Sequence, residues 1–271
     1  MIDQTVLDVE RLRIEVASER GIAQAVQDLS FKISKGQVLG IVGESGCGKS
    51  MTCMSILGLL PASAYVTQGS IRLNGAELNA LSLRERNCVR REQISLVLQN
   101  PMTAFNPLMT IGRQFIETLK LHRSYSRKQA LMHAMECLAE MNLSEPEQVL
   151  RQYPYELSGG MLQRVMIGLA LSNKPDLLIA DEPTTALDSR NREHVLNAFR
   201  RIKAASETAV LLVSHDIEVI EAVADSVIVM KQGKIVESGS TVDVLTRPAH
   251  EYTKLLLDAR LTTAHSGNKN R

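Results

Sequence analysis

The chain has 271 residues, 44% hydrophobic and 23% charged, a composition that suits one large globular domain or a core with an inserted lobe. Lys plus Arg number 31 and Asp plus Glu 30, and a net charge of +1 gives no electrostatic argument for nucleic acid or an anionic membrane surface. The sequence reads as having neither a spanning apolar run nor a signal-peptide start, and Cys47, Cys53, Cys88 and Cys137 form no C-x-x-C pair, which argues against a zinc site or disulfide framework, while the thiol of Cys47 inside a glycine-rich loop suits a reducing cytoplasm.

Residues 1–36 read as a strand hairpin: Val6 to Val16, a polar turn at Ser18-Glu19-Arg20-Gly21, then Ala25 to Ile33 and the Lys35-Gly36 turn. Val38 to Val42 reads as a short buried strand. It leads into Gly43-Glu44-Ser45-Gly46-Cys47-Gly48-Lys49-Ser50, and Met51 to Leu60 then reads as a helix stopped by Pro61. Strand, glycine-rich loop and helix in that order form the context of a phosphate-binding loop. Its glycines let successive N–H groups converge on one anion, and the helix N-terminus adds its dipole. Lys49 is expected to reach the terminal phosphates and the Ser50 hydroxyl to complete the shell of a magnesium ion.

Further β signals follow at Ser70 to Gly75 and at Ile94 to Leu98, the latter ending on Gln99. From Asn100 to about Tyr155 the pattern turns helical. Ser126-Arg127-Lys128-Gln129 is a capping box, opening a helix with apolar Leu131, Met135, Leu138 and Met141 that closes at Asn142 and Pro146. This stretch, between two β-rich parts, reads as an inserted helical lobe. Helices after Ser158, Asp188 and Asp216 then alternate with the apolar strands Leu177 to Ala180, Val210 to Val213 and Val227 to Met230. That alternation predicts an α/β fold with a mostly parallel sheet covered on both faces. Gly233 and Gly239 bracket a last strand, Thr241 to Leu261 reads as an amphipathic helical tail, and Thr262 to Arg271 as a polar, frayed end.

The strand Leu177 to Ala180 delivers Asp181 and Glu182 at its carboxyl end, the edge of a parallel sheet that also carries the phosphate loop. Asp181 suits magnesium, and Glu182 suits a general base that polarises the attacking water. His215 follows another strand and is placed to sense a γ-phosphate, although a lone strand-end histidine is often only a turn residue. Gln99 ends a strand where its amide can touch magnesium or water, or simply face solvent. Ser158-Gly159-Gly160 opens a helix as a second anion-binding nest, or as a plain serine cap. One nucleotide does not need two such nests from one domain, so the second is explained if it closes over the ATP of a neighbouring subunit. Asn173-Lys174-Pro175-Asp176 fits a guanine-reading pattern but follows a helix instead of a late strand, and reads as a helix-ending turn.

With these pieces placed, the sequence resembles the ATP-binding subunits of ABC transporters along essentially its whole length. The motifs are the Walker A loop Gly43–Ser50, the Q-loop at Gln99, the signature Leu157–Met161 with Arg164, the Walker B strand ending at Asp181 and Glu182, the D-loop Ala186-Leu187-Asp188, and the switch His215. The resemblance implies a P-loop NTPase core with an antiparallel β lobe (residues 1–99 and 165–240), a helical signature lobe (100–164) and a C-terminal tail (241–271). It implies ATP and magnesium as cofactors. Gly43, Glu44, Ser45, Gly46, Cys47, Gly48, Lys49, Ser50, Met51 and Gln99 would bind ATP, and Ser50, Gln99 and Asp181 magnesium. Glu182 and His215 would be catalytic, and Ser158, Gly159, Gly160, Met161 and Asp188 would face the ATP of a partner.

The family implies a head-to-tail pair of ATPase subunits, a related chain or a second copy, on two membrane permeases. A substrate-binding protein acts indirectly, no nucleic acid is involved, and the location is the cytoplasmic face of a bacterial inner membrane. Gln99 to Pro107, Tyr153 to Leu157 and His250 to Leu256 resemble the nickel and di-/oligopeptide import branch, and the Ser158–Arg164 stretch and short tail lean towards its nickel-type subunit. Peptide import is the alternative. A DNA- or ribosome-directed ATPase of the same class would carry a coiled-coil or zinc insertion, or two cassettes, which this sequence lacks.

Met161 stands where the signature normally has glutamine, and no aromatic occurs before Phe31, although the family normally stacks one on adenine near Val16. Discrimination between ATP and GTP should therefore be weaker than is usual for the family. Comparing their turnover checks this, and a strong ATP preference would contradict it.

Overall fold

The computed structural model describes residues 4–19, 21–122, 125–185 and 187–258. Arg20 of the expected hairpin turn, Ala186 of the D-loop stretch and the tail beyond residue 258 lie outside the described residues. The chain forms an α/β fold of two compact units, one built on residues up to Leu81 and from Val210 onward, the other on Ser82–Ala209. Among the described residues no helix is long and apolar enough to cross a membrane.

In the first unit, β1 (Thr5–Ser18) pairs antiparallel with both β2 (Gly21–Ser34) and β4 (Ala64–Leu73), and β4 with the short β5 (Ala76–Glu77). Leu7 and Val9 point into the core from β1, and so do Leu12 and Ile14, a change from odd to even positions. A bulge resets the alternation: the register slips between Val9 and Leu12, where Arg11 takes φ 47° and its N–H donates to Ser30 Oγ at 2.8 Å.

Beside this antiparallel sheet lie β3 (Val38–Val42), β8 (Ala209–Val213), β9 (Ser226–Lys231) and β10 (Lys234–Ser240), in the spatial order β10-β9-β3-β8. β3 runs parallel to β8 and β9, and β10 returns antiparallel. All five residues of β3 are buried, as expected of a strand covered on both faces. α1 (Lys49–Leu57), α8 (Ile217–Val223), α9 (Thr241–Thr246) and a helical turn sequence at 251–258 complete the unit. α1 ends earlier than the sequence suggests. Gly58 adopts φ 62° and its N–H caps the carbonyls of Met54 and Ser55, so a left-handed cap stops the helix before Pro61 can.

The second unit contains the helices expected between residues 100 and 164, together with a strand pair and two flanking helices. β6 (Ile94–Val97) and β7 (Leu177–Asp181) pair in parallel, with Val97 opposite Ala180. α3 (Ile111–His122) buries Ile111, Phe115 and Leu119, one face at a spacing of four. α4 (Arg127–Glu140) carries the expected capping box: the Ser126 hydroxyl accepts from Gln129 N–H, and the Gln129 side chain accepts from Ser126 N–H. Of the apolar positions read from sequence, Leu138 and the following Met141 are buried as expected, but Ala130, Ala134 and Cys137 complete the inner face in place of Leu131 and Met135. Small residues face inward because neighbouring helices approach there, while Leu131 and Met135 are left half-exposed.

α5 (Pro146–Arg151), α6 (Gly159–Leu171) and α7 (Ser189–Ala205) follow, and Asn173 to Asp176 is a turn after α6, as expected. The sequence reading gives neither the short β5 nor the helix α2 (Leu83–Glu92). The signal for α2 is a second capping box, Ser82 with Glu85, on a helix with no buried residue and therefore no hydrophobic stripe. Replacing Ser82 by alanine should lower the stability of this unit by about 1 kcal/mol, read as a shift in the urea midpoint at unchanged slope.

Candidate nucleotide-binding and hydrolysis residues

The phosphate loop leaves the end of β3 and is tied down from several sides. A Cβ on Gly43 would collide with the Met230 carbonyl and the Cys47 sulfur, and one on Gly48, at φ 107°, with the Ala25 carbonyl. Only glycine fits at either end of the loop. Gly233 N–H donates to the Cys47 carbonyl at 3.0 Å, fastening the loop to the β9–β10 turn. Gly48 precedes α1 with no side-chain cap and no acid in the first turn, so the positive end of the helix faces the loop.

Lys49, only 5% exposed, folds back so that its ammonium donates to the carbonyls of Gly43 at 2.6 Å and Glu44 at 2.9 Å. Cys47 Sγ lies 3.8 Å from that nitrogen. Burial pushes the Cys47 thiol up, and the neighbouring Lys49 only partly offsets this. Glu44, Ser45, Gly46 and Ser50 are exposed and Met51 is half-buried.

His215 emerges beside this loop. β8 runs next to β3 with Val213 opposite Ile41, and Ser214 N–H donates to the Ile41 carbonyl at 3.1 Å. The exposed His215 therefore sits at the same strand edge as Gly43. Asp216 then caps α8 by accepting from Glu218 N–H at 2.8 Å.

Gln99 and Glu182 come together in the other unit. Parallel pairing of β6 and β7 brings both strand ends to one edge, and Gln99 Nε2 donates to Glu182 Oε2 at 3.2 Å. Thr185 Oγ1 donates to the same oxygen at 3.0 Å. Glu182 holds φ 51°, a left-handed conformation that is costly for a side-chain-bearing residue by roughly 1 kcal/mol or more. These two hydrogen bonds aim its carboxylate. Asp181 ends β7, half-buried. Gln163, 1% exposed on α6, donates to the Leu98 carbonyl at 3.4 Å and holds the chain just before Gln99.

At the start of α6, Ser158 caps its own helix by accepting from Met161 N–H at 3.3 Å, while Gly159 is exposed with open space around it. Met161 is half-buried. Gly160 is buried against Asn191, leaving no room for a Cβ. Asn191 in turn donates to both Asp188 oxygens, from its N–H at 2.8 Å and its amide at 2.7 Å. Those bonds hold the Asp188 carboxyl below the usual carboxylate range. The signature helix and the D-loop aspartate thus meet through one asparagine. Arg164, 8% exposed, ties α6 to the end of α4 through the carbonyls of Asn142 at 2.8 Å, Met141 at 3.4 Å and its own Gly160 at 3.3 Å.

Thr185, Gln163 and Asn191 were not singled out from sequence. Gln163 stands inside the quoted signature stretch, whereas Asn191 and Thr185 carry no motif signal of their own.

Comparison with known proteins shows the family of the chain as a whole. The ABC transporter family model matches residues 26–185. The dipeptide transport ATP-binding protein DppD of Bacillus subtilis is 44% identical over 255 residues, 94% of this chain and 76% of the relative. The metal-staphylopine import system ATP-binding protein CntD of Staphylococcus aureus is 46% identical over 235 residues, 87% of this chain and 86% of the relative. The oligopeptide transport ATP-binding protein OppD of Haemophilus influenzae is 42% identical over 253 residues, 93% of this chain and 78% of the relative. Among solved structures, the ATP-binding cassette MJ0796, a dimer in a post-hydrolysis state bound to ADP and Pi, superposes with a TM-score of 0.78 at 27% identity, over 87% of this chain and 98% of that one. This chain belongs to the ABC transporter family and is an ATP-binding ATPase coupled to transport.

Proposed function

We propose that the chain is the ATPase subunit of an importer for peptides or metal chelates, with ATP hydrolysis driven by Glu182. The observation that carries the chemical part is the Gln99–Glu182 hydrogen bond of 3.2 Å, which sets a carboxylate at a strand end under the control of the loop leading towards the helices. The phosphates lie in the loop Gly43 to Ser50, with Met51 at the start of α1, and Lys49 exchanges the Gly43 and Glu44 carbonyls for a phosphate oxygen. Glu182 accepts a proton from the attacking water, and His215 hydrogen-bonds the γ-phosphate.

Magnesium fits the donor chemistry. Ser50 hydroxyl, Asp181 carboxylate and Gln99 amide are hard oxygen donors, and the described residues hold no His/Cys/Asp/Glu group that would favour a softer metal. When bound, magnesium neutralises phosphate charge. Ser158, Gly159, Gly160, Met161 and Asp188 close over the ATP of a second ATPase chain, a related subunit or another copy. The pair works on two permease subunits at the cytoplasmic face of the membrane, and a substrate-binding protein delivers the cargo.

The cargo is a peptide or a metal chelate because relatives of both kinds match at comparable identity, DppD at 44% and CntD at 46%. Nickel or a related chelate is the finer reading, motivated by the signature stretch Ser158–Arg164. Uptake of radiolabelled nickel and of a dipeptide in a deletion strain separates the two. Loss of nickel uptake alone supports the finer reading, and loss of peptide uptake alone replaces it.

Glu182→Gln should leave ATP binding intact and reduce turnover by at least ~100-fold, the scale of general-base loss. Hydrolysis at the parental rate would remove Glu182 from its role. Alkylation of Cys47 should block nucleotide binding, because the thiol is packed among loop atoms. With its thiol pushed up by burial, Cys47 should react more slowly with N-ethylmaleimide at pH 7 than exposed Cys88, and faster as pH rises and the thiolate forms. Unchanged ATP binding after complete Cys47 modification would contradict this.

A further inference from the structure

The C-terminal part of the first unit reaches back to the phosphate loop. Tyr252, in the helical stretch 251–258, is 4% exposed, and its hydroxyl accepts a hydrogen bond from the backbone N–H of Glu44 at 3.1 Å. The Lys231 ammonium lies 4.6 Å above the centre of its ring. The chain leading to Tyr252 is itself anchored: Glu237 on β10 accepts from the N–H groups of Ala249 at 2.7 Å and His250 at 3.1 Å, and His250 Nδ1 accepts from Tyr252 N–H at 3.0 Å. The ring is therefore delivered to the loop by a fixed segment.

A buried tyrosine normally finds a partner for its hydroxyl. Here the partner is the second residue of the phosphate loop, and that residue is held from both sides. Tyr252 takes the Glu44 N–H, while Lys49 donates to the Glu44 and Gly43 carbonyls. A lysine that turns towards a phosphate gives up both carbonyls. Of these two grips, the tyrosine's then remains on Glu44.

We propose that Tyr252 is a positioning residue for ATP binding, its hydroxyl holding the Glu44 peptide so that the loop keeps its anion-binding shape while Lys49 changes partners. This rests on the reading of Gly43–Ser50 as the phosphate site.

The test is Tyr252→Phe in the full chain, which keeps the buried ring and its contact with Lys231 and removes only the hydroxyl. KM for ATP should rise about three- to tenfold, the scale of one hydrogen bond, with kcat within about twofold and the melting temperature unchanged. An unchanged KM overturns the proposal, and so does a fall in kcat and melting temperature together, which would mark a purely structural hydroxyl. Hydrogen exchange in the unmodified chain gives a reading independent of any variant. The Glu44 amide should be protected although its residue is exposed, and exchange at the rate of an open loop overturns the proposal. Lys49→Ala separates the two levels. If that variant binds ATP with parental affinity, the underlying phosphate-site reading fails; if it loses binding while Tyr252→Phe is normal, only the tyrosine's role fails.

Discussion

A parallel strand covered on both faces can show water only its ends, and the side chains within it have no freedom to do chemistry. That constraint decides where the phosphate loop, His215, Gln99, Asp181 and Glu182 lie. β3 is buried throughout and ends in the phosphate loop, and β8 beside it ends in His215. β6 ends near Gln99 and its parallel neighbour β7 in Asp181 and Glu182. Parallel direction matters as much as burial. Pairing Val97 with Ala180 places two strand ends level, which lets an amide and a carboxylate from residues 83 positions apart share a hydrogen bond.

The loops beyond those ends are held by contacts that link one functional segment to another. Gln99 steadies Glu182, and Gln163 on the signature helix steadies the chain just before Gln99. Gly160 leaves room for Asn191, which grips Asp188. Direct contacts therefore run from α6 towards the residue proposed to activate water and, through Asn191, to Asp188. In the other unit Tyr252, Lys49 and Gly233 grip the phosphate loop at three separate backbone positions. The loop backbone is held at Gly43, Glu44 and Cys47 while Glu44, Ser45 and Gly46 are exposed.

Local spacing made much of this legible in the sequence. The phosphate loop, the strand carrying Asp181 and the serine opening α6 are each specified within about ten residues, by an apolar run and a turn or cap, and these signals survive without tertiary information. Where local signals competed, the reading slipped. Pro61 looked like the end of α1, but Gly58 reaches the left-handed cap first. Hydrophobicity favoured Leu131 and Met135 as the inner face of α4, yet close helix packing selected Ala130 and Ala134. α2 escaped notice because it buries nothing, although Ser82 and Glu85 announce it. Asn191 carries no motif signal, and Tyr252 lies in the His250–Leu256 stretch that resembles the import branch but shows no local sign of its contact with the phosphate loop. Their partners are a glycine 31 positions away and a loop residue 208 positions away, and no local pattern encodes such a contact.

The proposed function turns on two helix starts: the one after Gly48 would hold this chain's ATP, and the one at Ser158 would serve the ATP of a partner. Gly159 is the position to probe, because a Cβ there meets nothing within 4 Å among the described residues, and an aspartate at the first turn of a helix suits the dipole. The decisive measurement is ATP binding by the isolated Gly159→Asp chain beside turnover by the complete transporter that contains it. Parental binding with turnover abolished is the predicted result. Loss of binding in the isolated chain, or parental turnover in the complex, would contradict it.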